Sequence, residues 1–175
     1  MSESTIYYSY TKSPCGEILL ACNEEGLTHI HFQDGKYTMQ PKQDWIRDAK
    51  PLCDAKDQLL AYFEGTQMQF DLPLAPAGTP FQLRVWEALK TIPCGKTVSY
   101  TDIARSIEHP TAVRAVGSAN GRNPLPIVIP CHRVIGSDGK LRGYAGGLAI
   151  KQKLLEHECA FAIESDPGEQ LYLPA

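Results

Sequence analysis

The 175-residue sequence has no long hydrophobic run, no paired cysteines and no excess of positive charge. No apolar stretch approaches the ~18 residues that a membrane span needs. The first thirty residues lack a basic start followed by an apolar core, the pattern of an export signal. These absences predict a cytoplasmic protein with no membrane partner. The six cysteines (Cys15, Cys22, Cys53, Cys94, Cys131 and Cys159) stand singly, without a CxxC pair. Thiols stay reduced in the cytoplasm, so no disulfide is expected, and zinc-ligand spacing is missing. With 17 Lys+Arg against 20 Asp+Glu the net charge is −3, which at first sight argues against a nucleic-acid partner.

What is present is a globular composition, 43% hydrophobic and 21% charged, in a chain long enough to bury roughly 70% of its unfolded surface. The charge is unevenly spread. Residues 1–78 carry 6 basic and 11 acidic side chains, a net −5; residues 79–162 carry 11 and 6, a net +5; residues 163–175 carry none and 3. An acidic front before a basic second half is the asymmetry expected when one part meets a polyanion.

The change of sign falls at Asp71-Leu-Pro-Leu-Ala-Pro-Ala-Gly-Thr79-Pro80, where three prolines and a glycine interrupt helix and sheet alike. This linker predicts an N-terminal sheet domain over 1–78, a second domain over 79–162 and a flexible acidic tail over 163–175. Ahead of it, Ile18–Cys22 and Leu27–Phe32 read as strands around the turn Asn23-Glu-Glu-Gly26, after an earlier strand from Ile6 to Tyr10. A helix follows over Asp54–Glu64, with Leu59, Leu60 and Phe63 on one face.

Behind the linker, Thr79 is placed to cap a helix that opens on Pro80 and carries Phe81, Val85 and Leu89 on one stripe. Ser99–Ile107 and Thr111–Asn120 then read as two short helices joined by a tight turn, the spacing of a helix-turn-helix. The second carries Arg114 and then Gly117, Ser118, Ala119 and Gly121, so its later turns are nearly bare. Each helical glycine costs ~1 kcal/mol relative to Ala. Either tight helix packing or the close approach of a ligand accounts for accepting that cost.

The stretch Ile127-Val-Ile-Pro130-Cys131-His132-Arg133-Val134-Ile135 sets a thiol, an imidazole and a guanidinium inside an apolar run. Burying them is costly unless each finds a partner. A thiol is a weak nucleophile at neutral pH, and a neighbouring imidazole or cation is what moves it toward thiolate. On an extended strand Cys131 and His132 would face opposite ways, so their cooperation requires a turn, which Pro130 favours, or a bridging water. Glu158, in a helix beginning at Leu148, is a carboxylate that could fix the histidine tautomer.

The run Pro130-Cys-His-Arg-Val134 resembles the signature of the O6-alkylguanine-DNA alkyltransferases. Gly78-Thr-Pro-Phe-Gln82, Val85-Trp86, Ile92-Pro-Cys-Gly95, Val98-Ser-Tyr100, Ala112-Val-Arg-Ala-Val-Gly117, Asn123-Pro, Gly143-Tyr-Ala-Gly-Gly147 and Lys151 through Glu158 follow the family pattern in order. The likeness is strong over 79–158 and weaker over Ser13–Phe32 and Leu60–Gly65. It implies an α+β fold, a small ribonuclease H-like antiparallel sheet domain followed by a mostly helical winged helix-turn-helix-like domain that binds DNA and carries catalysis. It implies direct-reversal repair: irreversible, single-turnover transfer of the alkyl group from O6-methylguanine in duplex DNA to the protein after the damaged nucleotide is flipped, with O4-methylthymine as a candidate second lesion.

By the same resemblance Cys131 is the acceptor, His132 deprotonates it through a water, and Glu158 orients His132. Arg114 fills the space of the flipped nucleotide, while Gly117 and Ser118 let their helix approach the minor groove. Tyr100 and Ser137 contact DNA, and Asn123, Val134, Tyr144 and Ala145 form the base pocket. Ala145 and Asn120 stand where some members carry serine and methionine. A monomer without cofactor or metal is implied; Cys15, Cys22, His29 and His31 do not match the zinc pattern of some relatives. Two other readings compete. A helix-turn-helix regulator with a structural Cys131 would bind one preferred sequence and tolerate Cys131→Ala, and a cysteine hydrolase would give a burst with an acyl ester but has no use for the Arg114 helix.

Overall fold

The protein is described by a computed structural model covering residues 4–35 and 37–165. Strands β1 (Tyr7–Ser13), β2 (Gly16–Cys22) and β3 (Leu27–Phe32) form an antiparallel meander. Its second turn is tied by Asn23, whose Oδ1 accepts from the Glu25 and Gly26 amides at 3.0 and 3.1 Å. The continuous apolar run in β2 has a simple use. Ile18, Leu20 and Cys22 enter the main core, while Leu19 and Ala21 pack on the other face with Trp45. One expectation is corrected: the sheet is mixed, because the edge strand β4 (Ile46–Arg47) pairs in parallel with β1, giving the order β3-β2-β1-β4. Two residues carry no periodicity, and they are placed by the amides of Ile46 and Asp48 donating to Ile6 O and Tyr8 O at 2.9 and 3.1 Å and by the packing of neighbouring Trp45.

Helix α1 (Cys53–Phe63) buries Leu59 and Tyr62 in the main core. The proline-rich linker then docks instead of spanning open space. The Leu27 amide donates to Pro73 O, and the Ala75 amide donates to Leu27 O, each at 2.8 Å. A Cβ on Gly26 would lie 2.4 Å from Pro73 O, so only glycine allows this approach.

Helix α2 (Pro80–Lys90) has the expected Thr79 cap, closed into a capping box by Gln82, an arrangement worth ~1 kcal/mol. Its buried stripe is Val85, Trp86 and Leu89, and Trp86 Nε1 donates to Ala119 O at 2.9 Å. After β5 (Val98–Ser99), a second capping box, Ser99 with Asp102, opens α3 (Tyr100–Ser106). A tight turn with Glu108 in the left-handed region (φ 61°) leads to α4 (Val113–Gly121), which starts two residues later than the sequence suggested. Strand β6 (Val134–Ile135) pairs in parallel with β5. Helix α5 (Leu148–Ser165) closes the described chain and includes 163–165 of the expected tail; 166–175 lie outside the described residues. Among the described residues no helix is long and apolar enough to cross a membrane.

Candidate active site

The segment from Asn123 to Arg133 turns where an extended strand had been one option. Ile127 sits at φ 76°, a left-handed conformation that a β-branched residue strongly resists, at a cost of ~1–3 kcal/mol that persists only where the surroundings impose it. Asn123 is what imposes it. Its Nδ2 donates to Ile129 O at 2.8 Å, its Oδ1 accepts from the Leu125 amide at 3.0 Å, and the Ile129 amide closes the loop on Leu125 O at 2.8 Å. The ring of Pro130 follows, and Cys131–Arg133 form one turn of 3-10 helix, the Arg133 amide donating to Pro130 O at 3.0 Å. The strand geometry that would set Cys131 and His132 on opposite faces is therefore absent.

Two of the three side chains that need partners here, His132 and Arg133, find one in Glu158 of α5. His132 Nε2 lies 2.7 Å from Glu158 Oε1. Arg133 Nε donates to Glu158 Oε2 at 2.8 Å, its Nη2 donates to Oε1 at 2.9 Å, and its Nη1 donates to Ile92 O. His132 and Glu158 are wholly buried, and Arg133 nearly so. Burial alone would push the Glu158 carboxyl up, but the His132 ring and the Arg133 guanidinium outweigh it and hold the group well below the usual carboxylate range.

Cys131 is only 3% exposed. Burial pushes its thiol up to about 11, against the opposing pull of the Asn123 side chain and the Lys151 ammonium. The resting thiol is therefore protonated near neutral pH, and a base is needed before it can attack. Around it lie all the buried side-chain N and O atoms that lack a hydrogen-bond partner among the described residues: His132 Nδ1, Asn120 Oδ1 and Tyr144 Oη. Asn120 is tied in by its other atom, Nδ2 donating to Cys131 O at 3.3 Å. Burial first, and then proximity to Cys131, pushes the Tyr144 phenol well above its usual range. Native proteins leave few such atoms unpaired, and their gathering about one thiol marks a site built for something besides stability.

Lys151, not singled out in the sequence as a site residue, is completely buried. Its Nζ donates to Val134 O at 2.6 Å and to Arg142 O at 2.8 Å, and burial pulls it down to about 8. Arg142 O also accepts the Tyr100 hydroxyl at 2.9 Å. Lys151 thus clamps the strand after Cys131 to the loop that carries Tyr144 and Ala145. Tyr62 was missed as well; its hydroxyl donates to Glu158 Oε1 at 2.9 Å from α1. The sequence signals for them are the family pattern, which includes Lys151 and more weakly Leu60–Gly65, and the need of a buried guanidinium and thiol for further polar company.

Of the residues expected at DNA, Tyr100 borders this cluster through the Arg142 carbonyl it shares with Lys151, and the others lie at or near the surface. Arg114 and Ser118 are exposed on α4, and Gly117 is half-buried beside them. A Cβ on Gly117 would meet nothing nearer than Tyr100 Cδ1, at 3.9 Å, and on Gly121 nothing within 4 Å. Helix packing inside the protein thus explains neither glycine. Ser137 is exposed on the turn after β6, Val134 is buried beneath it, and Ala145 is half-buried in the loop beside Tyr144. Among the described residues no three His, Cys, Asp or Glu side chains gather to hold a metal ion.

A sheet domain joined to a helical domain with a buried Cys-His-Glu cluster defines the class, and comparison with known proteins gives the family. Residues 6–76 match the ribonuclease-like domain of 6-O-methylguanine DNA methyltransferase, and residues 80–160 match its DNA-binding domain. The chain is 56% identical over 153 residues to a methylated-DNA–protein-cysteine methyltransferase of Methanosarcina barkeri, covering 87% of this chain and 97% of the relative. A constitutive methylated-DNA–protein-cysteine methyltransferase of Bacillus subtilis is 46% identical over 158 residues, covering 87% of this chain and 94% of that one. The structure of Mycobacterium tuberculosis OGT in complex with DNA superposes with a TM-score of 0.83 at 46% identity, over 89% of this chain and 94% of that one. The chain belongs to the 6-O-methylguanine DNA methyltransferase family, as its motifs suggested.

Proposed function

We propose that this chain performs direct-reversal DNA repair by moving the alkyl group of O6-methylguanine onto the sulfur of Cys131. The observation that carries the reading is the cluster itself. His132 Nε2 is committed to Glu158, and the opposite nitrogen, Nδ1, is buried without a partner among the described residues, in the residue next to the thiol. A neutral imidazole whose Nε2 proton is held by a carboxylate presents a basic Nδ1, placed to take the Cys131 proton through a water. The sulfur then attacks the methyl carbon in line with the carbon–oxygen bond. A carbon–sulfur bond forms, the bond to O6 breaks, and guanine takes up a proton in place of the alkyl group. A thioether is not hydrolysed, so each molecule reacts once.

The exposed face of α4 delivers the base. Arg114 enters the stack as the damaged nucleotide leaves it, Gly117 and Ser118 admit the minor-groove backbone, and Tyr100 and Ser137 contact the strand. Flipping costs a few kcal/mol, least for a poorly paired lesion, which aids selection. Asn123, Val134, Tyr144 and Ala145 line the receiving pocket. The protein acts as a cytoplasmic monomer without metal or cofactor. Incubation with a duplex containing O6-methylguanine, followed by mass spectrometry, tests the reading. One equivalent of methyl on Cys131 is expected; transfer to another residue, turnover beyond one equivalent or no transfer overturns it.

A further inference from the structure

The carboxylate at the end of the relay is held from both halves of the molecule. Its hydrogen bonds come from His132 and Arg133 in the turn and from Tyr62 in α1, a helix of the ribonuclease-like domain. Tyr62 and Glu158 are 96 positions apart in the chain. The Tyr62 ring is wholly buried, stacked edge-on against Phe63 and His157 at 5.2 and 5.1 Å, and His157 Nε2 lies 2.6 Å from Tyr62 O. With the ring held in place, the hydroxyl has an acceptor within reach in Glu158. It donates to Oε1, the same oxygen that receives His132 Nε2.

We propose that Tyr62 is a positioning residue of the alkyl-transfer relay: its hydroxyl seats Glu158 for His132 and draws off part of the carboxylate charge that would otherwise pull a proton onto the imidazole. A hydrogen bond to a carboxylate stabilises its anionic form and weakens its hold on a second proton donor. Loss of the Tyr62 hydroxyl should therefore leave more carboxylate charge facing the imidazole and favour the protonated form that cannot act as a base. The other titratable groups around the pair are Arg133 and Cys131 in the turn, Cys94 in the loop after α2, Tyr144 in the active-site loop, and Lys151 and His157 in α5. Of these, Arg133 alone shares the carboxylate oxygens with Tyr62 in the described hydrogen bonds, and it stays charged throughout.

The inference rests on His132 acting as the base, and its test separates the two. Single-turnover methyl transfer by the full chain is measured across pH, together with the nitrogen NMR signals of the His132 ring without DNA. In Tyr62→Phe the acid limb of the rate profile and the pH of the ring transition both move up by about half a unit, a threefold loss of rate on that limb. A fluorotyrosine placed at position 62 keeps the shape but donates more strongly, and moves both readouts down. If Tyr62→Phe lowers the melting temperature and leaves both at the wild-type pH, or if fluorotyrosine moves neither, the phenol is merely structural and the proposal fails. If the ring transition moves but wild-type transfer does not depend on His132, the base assignment fails and the relay role of Tyr62 falls with it.

Discussion

The buried cluster around Cys131 and the exposed face of α4 are built on opposite rules. In the cluster, His132, Arg133, Glu158, Tyr62 and Lys151 are each tied to buried protein groups, and removing Glu158 leaves Arg133 buried without its counter-charge. On α4, Arg114 and Ser118 are exposed, and among the described residues a Cβ on Gly117 or Gly121 would meet nothing closer than 3.9 Å. Chemistry and folding are therefore entangled in the first region and separable in the second. Substitutions in the cluster should lower stability and transfer together, and substitutions on α4 should impair DNA handling at no cost in stability.

The sharpest break of that pattern is the acceptor. Cys131→Ser should abolish transfer completely, because a buried hydroxyl is far less acidic than a thiol and a weaker nucleophile toward carbon. Serine keeps nearly the size of the buried thiol, so binding to an alkylated duplex should persist in a gel-shift measurement. Residual transfer in the variant would mean that another residue is the acceptor.

Next in size is the carboxylate. Glu158→Gln leaves the Arg133 guanidinium buried without its counter-charge, which costs about 3–5 kcal/mol, and it also removes the group that fixes the His132 tautomer. Denaturant unfolding should show the first effect and transfer kinetics the second. The pH dependence has a definite sign. Glu158 titrates lower in the folded chain than in the unfolded one, so its contribution is present above about pH 4.3, the ordinary glutamate value, and is lost as the pH falls further. The wild type should lose stability on acidification below that point more steeply than Glu158→Gln; parallel curves would contradict the pairing.

Much of this contrast was legible in the residues, and the omissions have a common cause. The hairpin of β2 and β3, the Thr79 cap, the α3–α4 pair and the contact of His132 with Glu158 each follow from local chemistry or from the need of a buried polar group for a partner. Tyr62 falls outside the helix face that Leu59, Leu60 and Phe63 mark, and Lys151 enters only as part of the family pattern, with no role attached. Only the distant carboxylate and carbonyls they meet distinguish them. The 3-10 turn at Cys131 was left open because Pro130 permits several backbones, and the choice is made by Asn123 bracing a strained Ile127. β4 is two residues long and pairs with a strand far behind it, so nothing local announces it.

On the exposed face, Arg114→Ala should leave the unfolding midpoint unchanged while slowing transfer by roughly tenfold, about 1.4 kcal/mol of lost base extrusion. The loss should be largest for lesions in well-paired duplexes and smallest at mismatches, where less flipping energy is needed. An equal loss on all substrates would assign Arg114 to simple phosphate attraction. A lower melting temperature would show that the face is not separable from the fold.

The smallest effect is also the most discriminating. Gly117→Ala adds one methyl group to α4, and that methyl would meet Tyr100 only at ordinary van der Waals distance, 3.9 Å from Cδ1 and 4.0 Å from Cε1. Alanine in a helix interior is favoured over glycine by about 0.5–1 kcal/mol. The variant should therefore unfold at a slightly higher denaturant concentration than the wild type. If the space beside Gly117 belongs to DNA, the same methyl should weaken duplex binding, so that stability and affinity move in opposite directions. If both rise, the glycine is an unoptimised position, and the approach of α4 to the minor groove must be assigned to other residues. If stability falls, the neighbouring Tyr100 cannot yield, and the glycine belongs to the packed interior after all.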